Sequence, residues 1–151
     1  MITIVIITGL FFSVLILYLL LFQLGACSSK KSKENFLPVS IIIAAKNEER
    51  NIKNCLSSII KQDYPNFEII IVDDHSTDET FAISQTFQRN FPDLQIIQAN
   101  NHGKKLAIQQ GILKAQNEYL LFTDADCQPR SSNWINKMIS YFDQETSFVL
   151  G

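Results

Sequence analysis

The chain has 151 residues, with 13 lysine and arginine and 15 aspartate and glutamate side chains, and its formal net charge is −2. This near balance excludes the basic surface that nucleic-acid binding requires, so no nucleic acid is expected as a partner. The three cysteines, Cys27, Cys55 and Cys127, form no C-x-x-C pair. Their spacing argues against a disulfide framework or a zinc site and fits a reducing compartment.

The N-terminal segment is strongly apolar. Residues 1–24 contain no charged side chain, and a helix rising about 1.5 Å per residue over this length spans a hydrocarbon core of about 30 Å. The sequence therefore predicts one transmembrane helix over residues 1–24, followed by a polar linker over residues 25–38. Lys30, Lys31 and Lys33 follow the apolar run, so the positive-inside rule predicts a membrane protein whose following domain is cytoplasmic.

A second interpretation of the same segment is a lipoprotein signal. Residues 24–27 read Leu-Gly-Ala-Cys and look like a lipobox, after which Cys27 becomes the lipidated N-terminus. A signal peptide has a basic n-region, and this chain has no Lys or Arg before the apolar run. The transmembrane interpretation is therefore preferred.

The first half of the globular part predicts two strands, each followed by a helix. Residues 39–45 are β-branched and nearly continuously apolar, as in a strand covered on both faces. A helical repeat follows through Ile59, and residues 67–72 predict a second buried strand that ends at Asp73 and Asp74. Ser76 and Glu79 have the spacing of a capping box that opens the next helix.

The second half repeats the alternation. Residues 94–97 predict a shorter strand, and a helix after Gly103 and Lys104 carries small residues suited to close packing on a sheet. Residues 119–122 predict a strand, a helix follows Asn133, and residues 148–150 begin a further strand. Alternating strands and helices predict an α/β fold with a mostly parallel sheet and flanking helices. The short final strand predicts a domain over residues 39–151 that is truncated at its C-terminus.

Carboxylates follow two of the predicted strands. Asp73 and Asp74 end the second strand, while Asp124 and Asp126 follow the strand over residues 119–122. In a parallel sheet both strand ends lie at the same edge, where α/β proteins bind ligands. Paired carboxylates at such a place suit Mg²⁺ or Mn²⁺ bound to phosphates, because these hard ions take oxygen ligands.

The order of these motifs resembles family 2 inverting glycosyltransferases. The similarity covers residues 39–49, 69–80, 103–111 and 123–126, in the order of that family's N-terminal motifs. The resemblance implies a GT-A (Rossmann-like) fold and a glycosyltransferase that moves a sugar from a nucleotide-diphosphate donor to an acceptor with inversion. The acceptor class (lipid, polysaccharide or protein) stays open, and a role in cell envelope polysaccharide is implied.

The resemblance also implies roles for particular residues. The nucleotide-sugar-binding set is Ala44, Lys46, Glu48, Asp74, Lys104 and Asp124. Asp124 and Asp126 match the family's Asp-x-Asp, with Asp126 the direct ligand of a divalent metal, Mg²⁺ or Mn²⁺. In the family the catalytic base lies in the second half of the domain, so here it is expected beyond Gly151. The loop histidines His75 and His102 are not assigned this role, and Cys127 is regarded as incidental.

Other interpretations make different sequence predictions. A sugar-phosphate nucleotidyltransferase expects a Gly-rich loop after the first strand, and residues 44–50 contain no glycine. A haloacid-dehalogenase-type phosphatase expects Thr or Val at the position of Gln128. A non-catalytic, membrane-tethered nucleotide-binding fragment stays open.

Overall fold

The computed structural model describes residues 36–142, in which strands and helices alternate as predicted. The elements in chain order are β1 (Val39–Ala45), α1 (Ile52–Ile60), β2 (Phe67–Asp73), α2 (Thr80–Gln88), β3 (Leu94–Gln98), α3 (Lys104–Lys114), β4 (Tyr119–Asp124) and α4 (Trp134–Ile139). The described strands form one sheet in the order β3-β2-β1-β4, and every adjacent pair is parallel. The predicted α/β architecture with a parallel sheet is confirmed.

The sheet is buried on both faces. Alternate residues of β2 belong to different clusters: Ile69 and Ile71 pack with α1 and α4, whereas Ile70 and Val72 pack around Ala107 of α3. All four of these β2 side chains have no exposed surface. Continuous apolar strands are therefore explained by helices on both sides of the sheet.

Helix α3 approaches the sheet closely through its small residues. A Cβ atom placed on Gly111 would lie 2.6 Å from Ile42 Cγ2 and 3.2 Å from Val72 Cγ2. Ala107, one turn earlier, is also fully buried. The prediction of a small-residue stripe facing the sheet is confirmed. At Gly111 there is no room for a side chain, because a Cβ atom would overlap Ile42.

The predicted capping box at the start of α2 is wrong. The helix begins at Thr80, and Glu79 makes no side-chain cap bond. The Thr80 N–H instead donates to Asp78 Oδ1 at 3.0 Å, while Ser76 Oγ accepts the N–H of Asn47. The short Asp78 side chain reaches a backbone N–H two residues ahead, and this local turn competes with a cap built from Ser76.

Three expectations fall outside the described residues. They are the transmembrane helix over residues 1–24, most of the linker over residues 25–38, and the strand over residues 148–150. Between residues 36 and 142, no helix has both the length and the apolar composition to cross a bilayer.

Candidate functional site

The carboxyl ends of three strands meet at one edge of the sheet. Ala45 of β1 pairs with Asp73 of β2, and Ala44 pairs with Asp124 of β4. A cavity of about 270 Å³ opens at this edge, and its walls are formed by Ala44, Ala45, Lys46, Glu48, Asp74, Lys104, Asp124, Ala125 and Asp126. Every residue that the sequence assigned to donor or metal binding therefore borders one space.

Asp74 lies at one end of this cavity with its side chain only 6% exposed. Its two carboxylate oxygens each accept the Gly103 N–H at 3.0 Å, and Lys46 Nζ lies 3.4 Å from Oδ2. Burial by itself raises the pKa of the Asp74 carboxyl, but the Gly103 N–H and the Lys46 ammonium together hold that pKa below its ordinary value. Asp74 is therefore a charged acceptor within a mostly buried setting.

Lys104 forms the other end together with Asp124, the last residue of β4, and Asp126 in the turn after it. Lys104 Nζ lies 2.6 Å from Asp124 Oδ1, and this hydrogen bond raises the pKa of the lysine. Asp126 is exposed, and its Oδ1 receives a long contact of 3.6 Å from Cys127 Sγ. This end of the cavity therefore combines one ammonium group with two accessible carboxylates.

The donor set at Asp124 and Asp126 fits a divalent metal. Both side chains come from one turn and border the cavity, and hard cations prefer carboxylate oxygens while keeping positions for water and phosphate. Lys104 already pairs with Oδ1 of Asp124. Asp126, which has no lysine partner among the described residues, offers the freer carboxylate.

The loop after β1 is held against the loop after β2 by side-chain hydrogen bonds. Asn47 has a left-handed backbone, with φ 56°, and its Oδ1 accepts the Thr77 N–H at 2.8 Å. The Glu48 N–H donates to Thr80 Oγ1 at 2.7 Å, and the Glu49 N–H donates to Asp78 Oδ2 at 3.1 Å. Asparagine adopts the left-handed backbone conformation seen at Asn47 more readily than most residues do. These bonds fix the position of Lys46 and Glu48 at the cavity.

Two site-adjacent residues that the sequence did not assign are His75 and His102. Their rings stack with centroids 4.0 Å apart, and each Nδ1 faces the same oxygen of Asp74. A signal was present, because His75 directly follows Asp74, which was expected at the sheet edge, and His102 lies two residues before Lys104, which the resemblance assigned to the donor. Ala45 and Ala125 were also missed, since buried alanines carry no chemical signature.

Cys127 does not have the environment of a reactive thiol. Burial, together with the adjacent Asp126 carboxylate, raises the pKa of the Cys127 thiol. Thiolate is the nucleophilic form, and a raised pKa depletes it at neutral pH. This agrees with the interpretation of Cys127 as incidental to chemistry.

A parallel sheet with carboxylates around a crevice at the carboxyl ends of its strands is the architecture of α/β proteins that bind nucleotides at this edge. Residues 40–151 match the family described as "Glycosyl transferase family 2". The chain belongs to this family. The match supports the glycosyltransferase interpretation over a sugar-phosphate nucleotidyltransferase.

Individual relatives agree with the family match. The chain is 38% identical over 92 residues to the poly-beta-1,6-N-acetyl-D-glucosamine synthase of Staphylococcus epidermidis. The aligned region covers 58% of this chain and 21% of the synthase. The mannosyltransferase PcManGT of Pyrobaculum calidifontis, solved with GDP-Man and Mn²⁺, superposes with a TM-score of 0.69 at 27% identity, over 74% of this chain and 34% of that chain.

A second solved structure has the same fold. Residues 1–349 of Staphylococcus aureus TarS with UDP-GlcNAc superpose with a TM-score of 0.61 at 28% identity, over 69% of this chain and 30% of that chain. These similarities confirm the GT-A fold. The chain spans about a fifth of the length of the synthase and about a third of each solved structure.

Proposed function

We propose that this chain is the donor-binding part of a membrane-anchored glycosyltransferase that transfers a sugar from a nucleoside diphosphate donor with inversion. The observation that carries the proposal is the single cavity at the sheet edge, which has a buried acceptor, Asp74, at one end and Lys104 with two carboxylates at the other. A nucleoside diphosphate has matching parts, namely a base and ribose with N–H and O–H donors and a diphosphate with negative charge.

The nucleoside is placed at the Asp74 end. A buried carboxylate whose pKa is held low accepts hydrogen bonds from a ribose hydroxyl or a base N–H, as acidic residues do in dinucleotide-binding folds. Ala44 contributes a small, half-buried wall, and Lys46 lies over the carboxylate. Glu48 also borders the cavity, and one of its carboxylate oxygens accepts the Asn51 side-chain N–H at 2.8 Å.

The diphosphate is placed at the end formed by Lys104, Asp124 and Asp126. Departure of the nucleoside diphosphate leaves negative charge on its β-phosphate, and a preorganised ammonium group lowers the energy of that developing charge. Asp124 and Asp126 would hold Mg²⁺ or Mn²⁺, which supplies further neutralisation of phosphate charge. The PcManGT structure, which contains GDP-Man and Mn²⁺, supports this placement by analogy.

The acceptor site and the base that deprotonates the acceptor are assigned to the second half of the family's domain, as the family resemblance implies. The names of two relatives, a poly-beta-1,6-N-acetyl-D-glucosamine synthase and a poly(ribitol-phosphate) beta-N-acetylglucosaminyltransferase, support a polymer as the acceptor class, either a polysaccharide or a polyol-phosphate chain. The apolar residues 1–24 and the lysines after them support anchoring with the catalytic part on the cytoplasmic side.

The test is calorimetric titration of the full chain, in mild detergent, with UDP and separately with GDP. We expect one of them to bind in the presence of Mn²⁺ and to lose affinity when EDTA is added. Asp126→Asn should weaken binding by about 10- to 100-fold, comparable with the loss of a group that supports a metal. The matched control is Asp93→Asn, which makes the same change at an exposed residue that does not border the cavity.

A folded chain that binds neither nucleotide contradicts the proposal. Equal weakening by Asp93→Asn and Asp126→Asn also contradicts it, because the effect is then one of overall charge rather than of the metal ligand. Circular dichroism on each variant establishes that the comparison is made between folded proteins.

A further inference from the structure

Asp74, His75 and His102 form a compact cluster, which we call the Asp-His-His cluster. His75 Nδ1 lies 3.6 Å from Asp74 Oδ1, and His102 Nδ1 lies 3.7 Å from the same oxygen. One potential ligand atom from each residue can be chosen so that all three lie within 4.8 Å of one another. Two imidazoles from different loops thus converge on one carboxylate.

The backbone holds these side chains in place. His75 has a left-handed backbone with φ 56° immediately after β2, and the Asp74 N–H donates to Ala45 O at 2.8 Å. Gly103, with φ 117°, places its N–H on the Asp74 carboxylate and thereby holds the backbone next to His102. A left-handed conformation is uncommon for histidine, so the direction of the His75 ring depends on this local arrangement.

Hydrogen bonding alone does not account for the cluster. Distances of 3.6 and 3.7 Å exceed those of an N–H···O hydrogen bond. In the part of the chain that the structure describes, the buried His75 Nδ1 atom has no hydrogen-bond partner, although it faces a carboxylate. Buried polar atoms are nearly always paired, and an ion is one of the physical reasons for an exception.

We propose that the Asp-His-His cluster is a binding site for a transition metal ion of the Zn²⁺ class, separate from the Asp124 and Asp126 carboxylates. Two imidazole nitrogens and one carboxylate oxygen are ligands that Zn²⁺ and Co²⁺ take, at about 2.0 to 2.2 Å for Zn²⁺. Mg²⁺ favours the all-oxygen pair instead. The ligand atoms move inward by about an ångström or less to reach such bonds.

The neighbouring groups limit the affinity without excluding the ion. The Lys46 ammonium lies 3.4 Å from Asp74 Oδ2, whereas both imidazoles face Oδ1. The Gly103 N–H uses one acceptor direction on Oδ1, and a carboxylate oxygen has a second. The His102 side chain is 72% exposed, which leaves an open path for the ion and for water as a further ligand.

The test is a titration of the full chain with Co²⁺, whose visible absorption reports its ligands and geometry, followed by displacement with Zn²⁺. We expect one equivalent of Co²⁺ to bind with imidazole-type absorption, in addition to any Co²⁺ held by the Asp124 and Asp126 oxygens, and Zn²⁺ to remove the imidazole-type signal. His102→Gln alters an exposed side chain, and His75→Asn keeps a residue that tolerates φ 56°. Each substitution should weaken Co²⁺ binding by at least about tenfold. Loss of a residue that only supports a metal ligand already lowers metal affinity by about 10- to 100-fold, and loss of a ligand should cost no less.

Two controls separate this site from its neighbours. Cys127→Ser tests for a thiolate ligand, and Asp126→Asn tests for the oxygen site; neither should change the imidazole-type signal. Zn²⁺ should also raise the unfolding temperature of the wild-type chain and have less effect on His102→Gln. Absence of Co²⁺ binding, or a spectrum that survives both histidine substitutions, overturns the proposal. Because no nucleotide is used, this result is independent of the donor-site test.

Discussion

At the residue scale, Asp74 links the strand ends to the loop before α3. Its carboxylate accepts the Gly103 N–H, pairs with Lys46 and faces both imidazoles. One buried charge therefore orders three segments that are far apart in sequence. Such a charge is tolerated because hydrogen bonds and a lysine compensate for the loss of water.

The lowered pKa of Asp74 predicts a specific pH dependence of stability. Its ordinary value is 3.8 and the folded value is lower, so Asp74 stabilises the fold above about pH 3.8, and this contribution is lost as the pH falls through the folded pKa. Thermal unfolding of the wild type and of Asp74→Asn, followed between about pH 6 and pH 3, should show a wild-type advantage that shrinks only at the acid end.

Two results bear on that prediction. Asp93→Asn, at an exposed position, should follow the wild-type pH profile closely. An advantage over Asp74→Asn that stays constant down to the lowest pH contradicts the assignment of a lowered pKa to Asp74.

At the element scale, the contact between α3 and the sheet depends on the absence of a side chain at Gly111. The buried Ile42 lies where a Cβ would point, and its Cγ2 is attached to a β-branched carbon with a stiff χ1. Moving that methyl group therefore requires movement of the strand or the helix. Helix propensity alone favours alanine over glycine by about 1 kcal/mol, so the two effects oppose one another.

We expect steric overlap to win, and Gly111→Ala to destabilise the fold by about 1 to 3 kcal/mol. The measurement is the free energy of unfolding by urea, followed by circular dichroism. The matched control is Gln109→Ala on the same helix, which is exposed and should be neutral or slightly stabilising. A Gly111→Ala variant as stable as the wild type shows that α3 can move outward without loss.

At the scale of the whole molecule, the apolar residues 1–24 predict an integral membrane anchor. The full chain should stay in the membrane fraction through an alkaline carbonate wash, and deletion of residues 1–24 should release it. Mass spectrometry of the purified chain distinguishes the lipoprotein interpretation, which requires cleavage before Cys27 and a lipidated N-terminus. Retention of the deleted form in membranes contradicts anchoring by this segment.

The alternation of strands and helices, the parallel sheet and the family were all predictable from the amino-acid sequence. These follow from local patterns, since apolar runs, helical spacing and carboxylates at strand ends are properties of short segments. The carboxylates at the cavity were also identified in this way, because parallel strands bring their carboxyl ends to one edge. Ala44, Lys46, Glu48 and Lys104 were assigned by the family resemblance, and Ala45 and Ala125 were missed. The roles of the assigned residues in donor and metal binding stay predictions that the titrations test.

The contacts that cross between loops could not be predicted from the sequence and are visible only in the folded chain. The hydrogen bonds between Asn47 and Thr77 and the meeting of His75 with His102 depend on pairs of loops about 30 positions apart. The sheet order β3-β2-β1-β4 places these loops side by side, and left-handed backbones at Asn47 and His75 set their directions. No local periodicity encodes such geometry, because it arises from the packing of segments that are distant in the chain.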